Sequence, residues 1–300
     1  MDRDWQSLFG SEPVVLDGGL STQLESHGHD MNHRLWTGRV LLEDPAAISR
    51  AHSDYVDSGA DVVISASYQV SRQGFVDAGL TEEAADAALV SSVDAARAAV
   101  AGRQARVAAS VGPYGAILHD GSEYRGRYGL SSDALVAFHR ERVGILVDAG
   151  PDLLAVETIP DVVEAKAIVE VLADHPTMPA WMTFTAGDDK HTCAGQRIED
   201  AVAVAASAPS VMAVGVNCTD PRLVAPLILR MRAASDLPIV IYPNAGGAWN
   251  PEDGSWDDSI TGPFAPALVE VWQQAGATAI GGCCGTDASV IRDLAAQVKG

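Results

Sequence analysis

Asp148-Ala149-Gly150-Pro151-Asp152 closes one segment of this chain and opens the next. The residues before it, from about Ser132, carry a helical pattern, and Gly150 supplies a left-handed cap without steric cost. The residues after it, Leu153 to Val156, are a short apolar strand running into Glu157-Thr158. The same punctuation returns at Asp57-Ser58-Gly59-Ala60-Asp61 and at Gln274-Ala275-Gly276-Ala277-Thr278. Each time a helix ends, a glycine turns the chain, and a strand begins.

Extending the pattern outward predicts strands at 14–16, 61–64, 107–111, 153–156, 180–185, 211–216, 239–242 and 278–281. Helices are predicted between them, one of them started by Thr81 with Glu82 and Glu83 in its first turn, where the helix dipole favours carboxylates. Short apolar strands alternating with helices need a parallel sheet covered by helices. Eight such units in 300 residues predict an α/β fold, a (β/α)8 TIM barrel forming one domain over residues 1–300, with an open doubly wound sheet as the alternative. A barrel keeps its chemistry at the C-terminal strand ends. There the chain carries Asp17, Ser67, Tyr114, Glu157, Thr185, Cys218, Asn244, Cys283 and Cys284.

The formal charge of -20 argues against nucleic-acid and anionic-membrane partners, since phosphate surfaces repel it. It fits a cationic or zwitterionic small molecule better. No basic and then apolar leader opens the chain, and the longest apolar stretch, 201–216, is interrupted by Ser207, Pro209 and Ser210. A soluble, cytoplasmic protein is expected. Barrels often pair through their outer helices, so a homodimer stays open.

Gly281-Gly282-Cys283-Cys284-Gly285-Thr286 follows the last strand, and Gly215-Val216-Asn217-Cys218 ends the sixth. Two strand ends separated by one strand lie on one rim, close enough for three thiolates to meet on one ion. Sulfur donors in a tetrahedral set select zinc, and three protein ligands leave one position for a reactant. Two other readings stay open: small buried core residues, and a disulfide from Cys218 to Cys283 or Cys284 in a redox enzyme. The fourth cysteine, Cys193, reads as a spare loop thiol. Asp17 and Glu157 are candidates to hold a substrate ammonium, or plain caps and ion pairs. Tyr114, Tyr124, Trp249 and Trp256 in loops can surround a sulfonium or fill loop space.

Asp17-Gly18-Gly19, Glu157-Thr158, Gly215 to Cys218 and Gly281 to Thr286 resemble the signature segments of the zinc-dependent homocysteine S-methyltransferases, over essentially the full chain. Ala66 to Gln69, Ser110 to Ala116, Gly121 to Gly126 and Tyr242-Pro243-Asn244 resemble its short members that use S-methylmethionine or S-adenosylmethionine. The resemblance implies a barrel with Zn2+ on Cys218, Cys283 and Cys284, and homocysteine sulfur as fourth ligand. It also implies Asp17 and Glu157 on the homocysteine amino group. Ser67, Asn217, Tyr114 and Asn244 are the further substrate-binding candidates. The segments 188–196 and 246–258 match nothing in that pattern, which leaves the donor open. A non-catalytic zinc or thiol-binding barrel, and a related enzyme with a selenium-containing acceptor such as selenocysteine, are the rival readings.

Overall fold

The computed structural model describes residues 9–10, 12–246 and 264–300, with the backbone of 249–250 and 255–256. Among them eight strands form one parallel sheet: β1 (Val14–Val15), β2 (Val62–Ile64), β3 (Arg106–Val111), β4 (Leu153–Ile159), β5 (Ala180–Phe184), β6 (Val211–Asn217), β7 (Ile239–Tyr242) and β8 (Ala277–Ile280). Neighbours follow chain order from β2 to β8, and β8 pairs back onto β1. A parallel bridge between Leu16 and Val62 joins β1 to β2, and the amide of Asp17 donates to Val62 at 3.1 Å. The sheet closes on itself, so the expected barrel is found and the open sheet is not.

The helices Pro45–Asp57, Glu82–Val100, Ser132–Asp148, Val162–Leu172, Ile198–Ala206, Pro221–Ala234, Pro266–Ala275 and Ala288–Lys299 alternate with the strands. Thr81 caps the second of these by accepting from the amide of Ala84, and Gly276 ends the seventh at φ 113°. Three shorter helices, Leu20–Ser26, Thr37–Glu43 and Arg72–Asp77, occupy the connections after β1 and β2. Each has seven residues or fewer, too short for a clear periodic stripe. Among the described residues no helix is long and apolar enough to cross a membrane.

Strand alternation sorts the two sides of the sheet. Val14, Leu16, Val62, Ala108, Leu153, Ala155, Trp181, Ala213, Val240, Tyr242 and Ala279 pack together inside the barrel. The intervening positions, such as Val15, Val63, Val107, Leu154 and Met182, join the helices in the outer core. Continuing the inner parity toward the C-terminal end replaces apolar with polar residues: Ser110, Glu157, Thr183 and Asn217, all buried. The indole of Trp181 donates to the hydroxyl of Tyr242 at 3.2 Å, and that hydroxyl lies 2.9 Å from Thr183. The apolar plug thus gives way to a hydrogen-bonded layer directly beneath the mouth.

β6 and β7 approach most closely at Gly215, where an added Cβ would stand 1.6 Å from the carbonyl oxygen of Val240. Gly215→Ala should therefore cost at least about 3 kcal/mol by forcing two paired strands apart. Chemical denaturation checks this, and a loss below about 1 kcal/mol would show that the strands can give way.

Candidate functional site

The end of β7 holds both cysteine turns. The amide of Cys218 donates to Tyr242 at 3.1 Å and that of Cys283 to the next carbonyl, Pro243, at 2.8 Å. Ala245 in turn donates to the carbonyl of Cys284 at 2.9 Å. The sulfurs of Cys218, Cys283 and Cys284 consequently lie within 4.8 Å of one another, each half-buried. Cys218 and Cys283 are joined as a disulfide, with Cα atoms 5.6 Å apart, while Cys284 and Cys193 are free. Disulfide and metal would use the same sulfurs, so only the reduced chain offers three soft donors. That set fits a thiophilic divalent ion. Burial, and next the charge of Glu123, push the Cys284 thiol up to about 12, so without a cation beside it the group stays protonated.

The glycines around the cysteines make room for the protein itself. A Cβ on Gly282 would lie 2.3 Å from the Thr286 hydroxyl, and one on Gly19 would lie 2.5 Å from the carbonyl of Cys283. The turns after β1 and β8 interlock at these points. The phenol of Tyr55 stands 2.9 Å from the carbonyls of both Gly19 and Thr286 and ties the turns together from below.

Two residues, Thr158 near the end of β4 and Cys218 just after β6, have left-handed backbones unusual for side-chain-bearing residues, at φ 59° and 45°. Asn217 fixes the first. Its Oδ1 accepts from the amide of Thr158 at 2.7 Å and from the Thr183 hydroxyl at 2.7 Å, and its Nδ2 donates to Thr158 Oγ1 at 2.7 Å. β4 runs on through this irregularity to Ile159, three residues past its expected end at Val156.

A cavity of about 830 Å³ opens above the sulfurs, bordered by Cys218, Cys283, Cys284, Glu157, Asn217 and Thr158, and farther out by Trp36, Tyr68, Glu123 and Tyr124. Glu157 accepts a hydrogen bond from Ser110, and burial holds its carboxyl up at about 7. Asp17 accepts from the amide of Ile64 at 2.7 Å through Oδ2, while its buried Oδ1 has no partner. Burial raises its pKa well above the ordinary carboxylate value, and the Glu157 charge raises it further. Glu157 borders the cavity, whereas Asp17 is not among its lining residues and feels Glu157 only through its charge.

The other expected contacts fare differently. Asn217 lines the cavity, but its amide is committed to Thr158 and Thr183. The Ser67 hydroxyl donates to the carbonyl of Ser110 at 2.7 Å and does not border the cavity; Ser65 and Tyr68 do. Tyr114 also lies off it, because a 3-10 turn at Tyr114–Ile117 carries the ring against Tyr128 and Phe138 at 5.4 and 5.0 Å. Asn244 is buried behind the wall with Oδ1 unpartnered. The side chains of Trp249 and Trp256, and most of 246–258, lie outside the described residues.

Five contributors were not anticipated. Ser110, Thr183 and Tyr242 follow the inner parity of their strands, and that alternation was the signal for them. Arg142, from the helix Ser132–Asp148, donates to the carbonyls of Gly112, Ser67 and Tyr68 and so fixes the ends of β2 and β3. Glu164 accepts from the amide of Tyr114, the phenol of Tyr128 and His139. No local pattern marks these last two, since they act from helices on distant loops.

Known proteins resemble this chain over nearly its full length. The sequence model of the homocysteine S-methyltransferase family matches residues 14–298. Homocysteine S-methyltransferase 4 of Zea mays is 43% identical, with 95% of this chain and 89% of that protein aligned. Homocysteine S-methyltransferase YbgG of Bacillus subtilis (strain 168) is 40% identical over 98% and 97%. The metallated crystal form of the homocysteine methyltransferase MmuM from Escherichia coli superposes with a TM-score of 0.87 at 39% identity, covering 98% of this chain and 99% of that one. Its oxidized form superposes with a TM-score of 0.86.

Asn217→Ala should release Thr158 from its left-handed backbone, cost about 1–3 kcal/mol of stability and lower turnover more than tenfold. Unfolding curves and steady-state rates check this together; full activity in a stable variant would separate the Asn217 network from the site.

Proposed function

The chain belongs to the homocysteine S-methyltransferase family, and from that premise we propose that it moves a methyl group from a sulfonium donor to the thiol of homocysteine, forming methionine. S-methylmethionine, or S-adenosylmethionine, is the donor in this reading, and zinc is the resident metal. The observation that carries it is the meeting of Cys218, Cys283 and Cys284 within 4.8 Å at the floor of a cavity that also exposes Glu157. A chain that must keep these thiols reduced fits the cytoplasm, where disulfides are rare.

When bound, zinc would supply the acceptor sulfur as a thiolate at neutral pH, so no protein base is required. The residues around it do the remaining work. Glu157 and Asp17 hold the acceptor's ammonium and orient its sulfur toward the three cysteines. The electron pair of that sulfur forms the new bond to the methyl carbon. The bond from that carbon to the donor sulfur breaks, and its pair returns to the donor, which leaves as a neutral thioether. Trp36, Tyr68 and Tyr124 border the path and replace water around the sulfonium with aromatic faces. Alignment and dehydration are the chain's main contributions, together worth several powers of ten in rate.

Purified, reduced, zinc-loaded protein should form methionine from homocysteine and at least one of the two sulfoniums. No turnover with either donor, or with selenocysteine in place of homocysteine, would remove the reading in favour of a binding protein. Cys284→Ser should lose both bound zinc and activity. Thiol titration should show three of the four cysteines protected by one zinc per chain; a reversible dithiol couple with no metal uptake would instead support the redox alternative.

A further inference from the structure

One acid in the cavity has no part in the mechanism above. Glu123 sits in the 3-10 turn Ser122–Tyr124, in the long connection after β3, and borders the cavity. Its Oε2 is buried and has no hydrogen-bond partner. Burial holds the carboxyl up at about 7, against a lowering by its own amide. Arg125, the neighbouring cation, is already paired with Asp120 at 3.2 Å. Glu25, Asp120, Glu123 and Glu157 all line the cavity, and none of the described lining residues is Lys or Arg. The lining bases are His33 and His119, and burial keeps His119 on the neutral side. An acid in this setting lacks a cation that the protein does not provide.

The surroundings say which cation fits. The Glu123 charge acts on Tyr68, Tyr124 and Cys284, and all four border the same cavity. Trp36 stands edge-on to Tyr68 with ring centroids 6.1 Å apart. The turn is held in place at Gly115, where a Cβ would come within 2.5 Å of the Glu123 nitrogen. Aromatic faces beside one carboxylate suit a soft, weakly hydrated cation better than an ammonium, which asks for several directed acceptors. In a direct transfer the donor sulfur lies just beyond the methyl carbon as seen from the cysteines, so it must sit in the cavity that Glu123 and the sulfurs both border.

We propose that Glu123 is the counter-charge for the donor's sulfonium, so that the cavity divides into an acceptor corner at Glu157 and a donor corner at Glu123, Tyr68, Tyr124 and Trp36. The inference rests on the methyl-transfer reading. It assigns specificity: the pocket selects methyl donors by their positive sulfur and disfavours neutral thioethers, including the product. The positive charge is present in the bound donor and is lost during transfer. Glu123 therefore serves binding more than the chemical step.

The test is Glu123→Gln, which keeps size and removes charge, with Glu123→Asp as the charge-retaining partner. In the glutamine variant KM for S-methylmethionine should rise at least tenfold, while KM for homocysteine and zinc content stay within twofold of wild type. The aspartate variant should recover part of the donor affinity. Calorimetric titration should show the same tenfold weakening for S-methylmethionine and less than twofold for methionine, which has the ammonium but no sulfonium. An unchanged donor KM and affinity overturns the proposal. Equal weakening of methionine overturns it too, by moving Glu123 to the ammonium. If the wild type binds S-methylmethionine but turns over no sulfonium, the methyl-transfer reading fails while the titration still decides the role of Glu123. If the wild type binds neither S-methylmethionine nor S-adenosylmethionine, both fail.

Discussion

Two amides donating to consecutive carbonyls at the end of β7 set the position of everything reactive in this barrel. Cys218 reaches Tyr242, Cys283 reaches Pro243, and the return bond from Ala245 to Cys284 completes the clamp. β7 lies between β6 and β8 in the sheet, so a single strand end serves as the template for thiols that are 65 residues apart in sequence. The barrel's closure matters for the same reason. β1 pairs with β8, and the amide of Gly282 donates to the carbonyl of Asp17 at 3.0 Å, so Asp17 and its glycines are fixed against the cysteine turn they pack on.

The cost of the site is spread around its rim. Left-handed backbone at Thr158 and Cys218, an orphaned oxygen on Asp17 and another on Glu123 each oppose folding by about 1–3 kcal/mol. The surrounding structure offsets this with dense hydrogen bonding beneath the mouth, through Asn217, Thr183, Tyr242 and Trp181, and with the buried Arg142 that gathers three loop carbonyls. Of the two acids, Glu123 borders a cavity whose described lining has no lysine or arginine, so positive charge arriving there would meet an unpaired acceptor.

Much of this was readable in advance, and the limits have physical reasons. The eight strand-helix units were legible because glycine caps and apolar runs are local signals, and the three cysteines because their spacing placed them at strand ends on one rim. Tyr114 was misplaced because a 3-10 turn rotates its ring sideways, and Ser67 because its hydroxyl prefers the carbonyl of Ser110. Both depend on one or two backbone angles that residue type does not specify. The glycines beside the cysteines are approached by the opposing turn, a contact across most of the chain's length that local sequence does not signal. Ser110, Thr183 and Tyr242 could have been found by carrying the inner parity two residues farther along each strand. Arg142 and Glu164 act at long range and left no such trace.

The central claim is that Cys218, Cys283 and Cys284 together hold one ion with room for the acceptor's sulfur. X-ray absorption at the zinc edge of the reduced, loaded protein measures this directly. The account predicts three sulfur neighbours in the free protein and four when homocysteine is added. A first shell with two sulfurs or fewer, or one that homocysteine leaves unchanged, would contradict it.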